Sequence, residues 1–144
     1  ESEWRAALAR LEDSIVYCGN CRAENFCDPA RLSTYTPTCW SCHQTIRLPV
    51  WLQIGRQAVF LNHDTKLYPH HTDASRLYDY SSPTAEGNQH PTDPNVWGLK
   101  NLSAQRWVVT MPDGSVRDVD AGRSLRLAAG ARIQFGTVEG MLKA

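Results

Sequence analysis

Four of the five cysteines of this chain fall in two Cys-x-x-Cys pairs, Cys18 with Cys21 and Cys39 with Cys42. The fifth, Cys27, lies between them, so every thiol sits within residues 18–42. A secreted disulfide framework spreads an even number of cysteines along a chain. A thioredoxin-like redox site needs one Cys-x-x-Cys that opens a helix after a strand. Neither pattern fits. Two pairs separated by 17 residues (22–38) match the spacing of a zinc ribbon.

The chemistry explains the spacing. Two residues between thiolates let one tight turn aim both sulfurs at a single ion. Gly19-Asn20 fills the first turn and Trp40-Ser41 the second. Zinc takes four thiolates tetrahedrally, and such a set leaves no position for water. The expectation is one structural zinc per chain, held by Cys18, Cys21, Cys39 and Cys42. Cys27 is expected to pack as a small apolar side chain. His43, next to the last ligand, is expected to point elsewhere.

Lys plus Arg and Asp plus Glu balance at 15 each, and no three basic residues are consecutive. That argues against a large electrostatic footprint for nucleic acid or for a membrane surface. No stretch reaches the roughly 18 apolar residues of a membrane span, and no signal-peptide pattern is present. A cytoplasmic location is expected. The chain opens on Glu1 rather than Met, as a piece of a longer protein would.

Residues 3–15 place Trp4, Leu8, Leu11 and Ile15 at helical spacing after Ser2, a candidate N-cap. From Pro49 the period changes. "VWLQIG", "AVFLN", "TKLYPH", "WGLKNL", "RWVVTM", "SVRDVD", "SLRLA", "RIQFG" and "GMLKA" are short runs rich in strand formers. Asp113-Gly114 is a hairpin signal. Ala129-Gly130 joins two alternating runs. The expected fold is mainly β: an N-terminal helix and zinc ribbon over 1–48, then a β-sandwich over 49–144. Residues 69–95 read as a long polar loop with four prolines and three of the five histidines. Asn62–Thr65 reads as a hairpin turn that carries an exposed Asp64.

Pieces of the β-region resemble a forkhead-associated domain: "LQIGR" (52–56), "GLKNLS" (98–103), "WVVTMPDGS" (107–115) and "SLRLAAGARIQFG" (124–136). The resemblance implies a sandwich that reads phosphothreonine. Arg56 stands where such domains hold phosphate with an arginine, and Ser81 or Ser82 where they place a serine. The family's following histidine and its Asn-Gly are replaced here by "SSPTAE" and by Gln105-Arg106-Trp107. Weak or absent phosphothreonine binding is therefore expected.

A zinc ribbon followed by "IGRQAVFLNHDTKLYPHH", "HPTDPNVWGLKNLS" and "FGTVEG" is similar to the C-terminal region of bacterial serine/threonine kinases from tellurium-resistance-associated operons. That resemblance spans nearly the whole chain. It implies a non-catalytic regulatory tail that docks a von Willebrand A-type protein with a divalent-metal site, with a phosphatase of the same operon as a further partner. The chain has no Gly-rich nucleotide loop, no His-Arg-Asp and no Asp-Phe-Gly. Candidate partner contacts are Asp64, as a carboxylate donor to the partner's ion, with Arg56, Tyr68 and His70. The rival reading is a metalloenzyme that gathers His63, Asp64, His70, His71, Asp73 and His90 around a second ion. No His-Glu-x-x-His or comparable spacing supports it.

Overall fold

The computed structural model describes residues 2–32, 34–93 and 96–144. Helix α1 spans Ser2–Asp13. It ends where Ser14 turns back, its N–H donating to Arg10 O at 3.1 Å and its hydroxyl to Leu11 O at 2.9 Å. Ala6, Ala7, Ala9 and Asp13 are its half-buried residues. The apolar row that gives this segment its helical spacing faces outward and not into a core: Trp4 is 74% exposed, Leu8 59% and Leu11 47%. Ile15 has left the helix for strand β1 (Ile15–Tyr17), and Ser2 lies within α1 instead of capping it.

Strand β1 pairs antiparallel with β2 (Glu24–Phe26), Val16 opposite Asn25. A single 3-10 turn follows at Pro29–Arg31, where the Asp28 carboxylate accepts the Ala30 N–H at 3.0 Å. The second cysteine pair sits in a loop closed by a bridge between Thr38 and Thr45. Val16, Cys18, Cys27, Cys39 and Ile46 form one buried cluster together with Trp51 and Phe60. The core of the N-terminal part thus crosses the 48/49 position and continues into the strands beyond it.

Among the described residues ten strands follow, β3 (Trp51–Ile54), β4 (Gln57–Phe60), β5 (Lys66–Leu67), β6 (Ala85–Gln89), β7 (Trp97–Asn101), β8 (Trp107–Thr110), β9 (Val116–Val119), β10 (Ser124–Arg126), β11 (Arg132–Gln134) and β12 (Glu139–Lys143). They make a six-stranded sheet in the order β4-β3-β12-β11-β8-β9 and a four-stranded sheet in the order β10-β7-β6-β5. All neighbours pair antiparallel. The period-two pattern does what the sequence implies: Trp107 and Val109 are buried while Val108 and Thr110 are exposed. Leu52, Val109, Ile133 and Leu142 of the larger sheet and Leu67, Leu99 and Leu125 of the smaller belong to one buried cluster. The chain is therefore mainly β, with several antiparallel sheets and an N-terminal helix.

Three connections depart from the sequence reading, and one agrees. Asp113-Gly114 does close the β8–β9 hairpin, with Gly114 at φ 88. Strands β10 and β11, joined at Ala129-Gly130, do not pair; they belong to different sheets. Nor is Asn62–Thr65 a hairpin: it carries the chain from β4 in one sheet to β5 in the other. The long loop 69–95 holds helix α2 (Pro69–Thr72) and strand β6. "AEGNQ" has no strand-forming side chains, but β6 is paired on both sides. Gly87 fits there because a Cβ would come within 2.7 Å of the Asn62 carbonyl oxygen.

Asn101 is a polar core residue with 0% exposure. Its amide donates to the carbonyls of Gln105 (2.7 Å) and Val119 (2.9 Å), and its oxygen accepts from the Ser103 N–H (2.9 Å) and hydroxyl (2.6 Å). A buried amide is tolerated only when satisfied in this way, and here it pins the β7–β8 connection.

Candidate metal centre and its surroundings

The two Cys-x-x-Cys segments fold into the same turn twice. In the first, the Cys18 N–H donates to Ala23 O (3.0 Å) and the Arg22 N–H to Cys18 O (2.9 Å). In the second, the Cys39 N–H donates to Gln44 O (2.8 Å) and the His43 N–H to Cys39 O (2.9 Å). Each turn closes on a non-glycine residue in the left-handed region, Arg22 at φ 64 and His43 at φ 61. That conformation is uncommon outside glycine, and both turns adopt it immediately after the second cysteine. The Asn20 N–H points at Cys18 Sγ and the Ser41 N–H at Cys39 Sγ, each at 3.4 Å.

The result is a cluster in which the sulfurs of Cys18, Cys21, Cys39 and Cys42 all lie within 4.8 Å of one another. Cys18 and Cys42 approach to 3.6 Å, and Cys21 and Cys39 to 3.5 Å. These are far beyond a disulfide bond, about 2.05 Å. They are near the edge of a tetrahedron whose centre lies about 2.3 Å from each sulfur, an edge of about 3.8 Å. The donor set therefore fits a metal ion, and all-thiolate ligation fits zinc. Among the described residues no other group of three or more His, Cys, Asp or Glu converges this way. Cys27 is buried in the adjoining core, with its sulfur 3.4 Å from the Tyr35 hydroxyl. His43 is exposed and outside the cluster.

Local hydrogen bonding favours the thiolate at two of the four cysteines, whereas at Cys21 the Ala23 backbone bond is outweighed by desolvation and by the neighbouring thiols, which push it up to about 11. The Cys42 N–H, then the Asn25 amide and the Ser41 N–H, outweigh desolvation and bring the Cys39 thiol down to about 6. Asn20 and the Gln44 N–H lower Cys42 as well. Asn25 was not legible as a site residue. It is only 5% exposed. Its amide donates to Ala23 O (3.0 Å) and Cys39 Sγ (3.5 Å), while its oxygen accepts the Trp40 N–H (3.1 Å). One side chain thus ties the second turn to the first hairpin. Groups that orient metal ligands in this manner tune the site. Trp40 is 69% exposed, and its indole N–H is fixed on Glu24 O at 2.7 Å.

The residues singled out as partner contacts are scattered. Asp64 is exposed on its turn, but its Oδ2 accepts the Tyr17 hydroxyl at 2.7 Å. That bond, with burial, pushes Tyr17 up to about 12. The turn itself is closed by Thr65, whose Oγ1 accepts the Asn62 N–H at 2.7 Å and donates to Phe60 O at 3.0 Å. Asp64 and Tyr68 line one cleft of about 240 Å³ together with Glu12, Asp13 and His71. Arg56 is exposed just after Gly55 (φ 58) in the β3–β4 turn. It does not line the groove that holds Ser82. The Ser81 hydroxyl is already donated to Asp79 at 2.6 Å.

His70 is inside the protein, 4% exposed. It is stacked between the rings of Tyr78 (5.1 Å, 21°) and Tyr80 (5.0 Å, 25°). It presents no surface to a partner unless those tyrosines move. Its Nδ1 accepts the Tyr78 N–H at 2.8 Å, so Nε2 carries the proton, and that atom is buried without a partner. Neighbouring His71 accepts the Tyr68 N–H on Nδ1 (3.0 Å) and meets Asp13 through Nε2 (3.0 Å). The pair fastens α1 to the sheets. The histidines are thus separately engaged, not gathered about a second ion.

No protein-family model, curated protein or solved structure matches the chain.

Burial, then the charge of His71, lowers the His70 pKa, against a smaller opposite effect of Asp13. The sign follows by linkage. A folded pKa below the unfolded value, about 6.5, means that the fold binds fewer protons than the unfolded chain. The stabilisation is full above the unfolded pKa and is lost as pH falls through the folded one. Urea midpoints are expected to drop between pH 7 and pH 5. His70→Gln, whose oxygen can still accept the Tyr78 N–H, should drop less. Equal drops in the two proteins would remove His70 from the account.

Proposed function

We propose that this chain is a non-catalytic protein-interaction module in which a structural zinc ribbon is joined to a forkhead-associated-like β-sandwich. On the resemblance of its segments, we take it as the cytoplasmic C-terminal regulatory region of a bacterial serine/threonine kinase of a tellurium-resistance-associated operon, docking a von Willebrand A-type partner. The observation that carries the reading is the closed cluster of four thiols. Cys18, Cys21, Cys39 and Cys42 would hold zinc with no open position, so the ion supplies rigidity and no activated water. Two antiparallel sheets that share one core support the sandwich.

Asp64 is the proposed contact to the partner's divalent ion. It stands exposed at a turn, one oxygen is held by Tyr17, and the other remains for a hard cation. Asp64→Asn keeps an acceptor for the Tyr17 hydroxyl and removes the charge. Calorimetry with the partner in magnesium is expected to show at least about a tenfold loss of affinity, with the fold unchanged. Equal affinity in the mutant removes Asp64 as the donor. Affinity indifferent to a chelator that spares the zinc removes the metal-bridged contact.

A further inference from the structure

Where the N-terminal part meets the sheets lies a groove of about 540 Å³ that no residue of the proposed partner contact except the shared turn approaches. Its walls are aliphatic: Leu48, Val50, Leu61 and Leu127. Leu61 is buried, and the other three are half-buried, held in place yet accessible. Volumes of this size are typical of sites that seat a small ligand or a side-chain anchor.

Besides the neutral Tyr17 and Asn62, the polar side chains of the groove are basic. Arg47 and His63 stand in its lining, and no acidic side chain does. Arg47 is exposed. Among the described residues the ion pairs belong to His71, Arg76 and Arg106, and none of these residues hydrogen-bonds the Arg47 guanidinium. The His63 ring is braced on Tyr17, with centroids 5.2 Å apart. Trp97 closes the groove as a half-buried aromatic beside Leu127, whose N–H donates to the Trp97 carbonyl at 3.0 Å. The acids Glu12, Asp13 and Asp64 line a different cleft that shares Tyr17 and Asn62 with this one.

We propose that this groove docks an extended peptide segment in which a large apolar side chain stands next to an aspartate or glutamate. The apolar side chain fills the aliphatic walls, and the carboxylate meets Arg47. The choice of occupant rests on charge complementarity and on wall chemistry. Arginine without a partner beside apolar surface is the recognition group for a planar carboxylate. Four aliphatic walls with a single guanidinium suit an acidic, apolar peptide better than a nucleic acid, which needs a run of cations. The inference builds on the reading of the chain as an interaction module but uses a surface distinct from Asp64.

The test is selection of displayed random peptides of about 12 residues on the full, zinc-loaded chain, followed by affinity measurement of the selected sequences. The expected consensus pairs an acid with a neighbouring Leu, Ile, Phe or Trp. Arg47→Glu, at an exposed side chain with no bonds to lose, should weaken each selected peptide at least about tenfold. Replacing the peptide's acid by Lys should restore binding to that variant. A consensus without an acid, affinities unchanged by Arg47→Glu, or no selection above background would each overturn the proposal. So would preferential capture of a single-stranded oligonucleotide. Self-association abolished by Arg47→Glu would make the occupant a second copy and overturn it too. Asp64→Asn calorimetry reads the partner contact independently, so either result can fail while the other stands.

Discussion

Cys39→Ser is expected to abolish stoichiometric zinc and to melt the N-terminal part of the chain. Cys39 is the most buried of the four clustered thiols at 1% exposure, and three donors converge on its sulfur, from Cys42, Asn25 and Ser41. A serine oxygen cannot replace a thiolate there. Structural zinc supplies on the order of 10 kcal/mol to a small module, more than the whole stability of many domains. The loss should appear by hydrogen exchange as collapsed protection over residues 14–48. It should reach Trp51 and Phe60, which share the buried cluster with Cys18 and Cys39. Protection at Leu99, Val109 and Ile133, in the other cluster, should persist. Uniform loss across both clusters would mean that the two parts unfold as one unit. A mutant that retained full zinc would exclude Cys39 as a ligand.

The second large effect belongs to the sheets. Trp107 is 1% exposed and meets Phe135 edge-on, with centroids 5.1 Å apart at 80°. Trp107→Ala is expected to cost about 3–5 kcal/mol, the transfer term plus a cavity that neighbouring strands cannot fill. Val108, the next residue, is 41% exposed, and Val108→Ala should stay within about 0.5 kcal/mol. Urea denaturation of the zinc-loaded protein compares the two. Similar costs at both positions would contradict the alternation that buries Trp107 and exposes Val108.

These effects fall where local chemistry was readable. The four-cysteine cluster was legible because a tetrahedral thiolate site would impose a short spacing on its own chain. Nine of the strand segments were legible as short runs rich in strand formers, and some of them, such as β8 and β11, also alternate between buried and exposed residues. What was not legible depends on distant residues. Strand β6 forms because β5 and β7 flank it, not because "AEGNQ" prefers a strand. The allotment of β10 and β11 to separate sheets is likewise a long-range outcome. The apolar spacing of Trp4, Leu8 and Leu11 was sound as a helix signal and failed as a guide to the buried face. The Asp13–His71 pair spans 58 residues, and the helix seats on its alanines beside it. His70 and His71 read as loop histidines beside a proline, yet Tyr78 and Tyr80 stack on His70 and Tyr80 meets His71 edge-on. Asn25 and Asn101 carry no sequence signal, since their value lies in hydrogen bonds that only the assembled turns create.

The central claim is a closed, purely structural tetrathiolate centre beside a β-rich body. X-ray absorption at the zinc edge of the purified protein tests it most directly. The account predicts one zinc per chain with four sulfur neighbours at about 2.3 Å and no oxygen or nitrogen in the shell. A mixed shell with a nitrogen or oxygen neighbour, or a chain that binds no zinc while its cysteines are reduced, would contradict it.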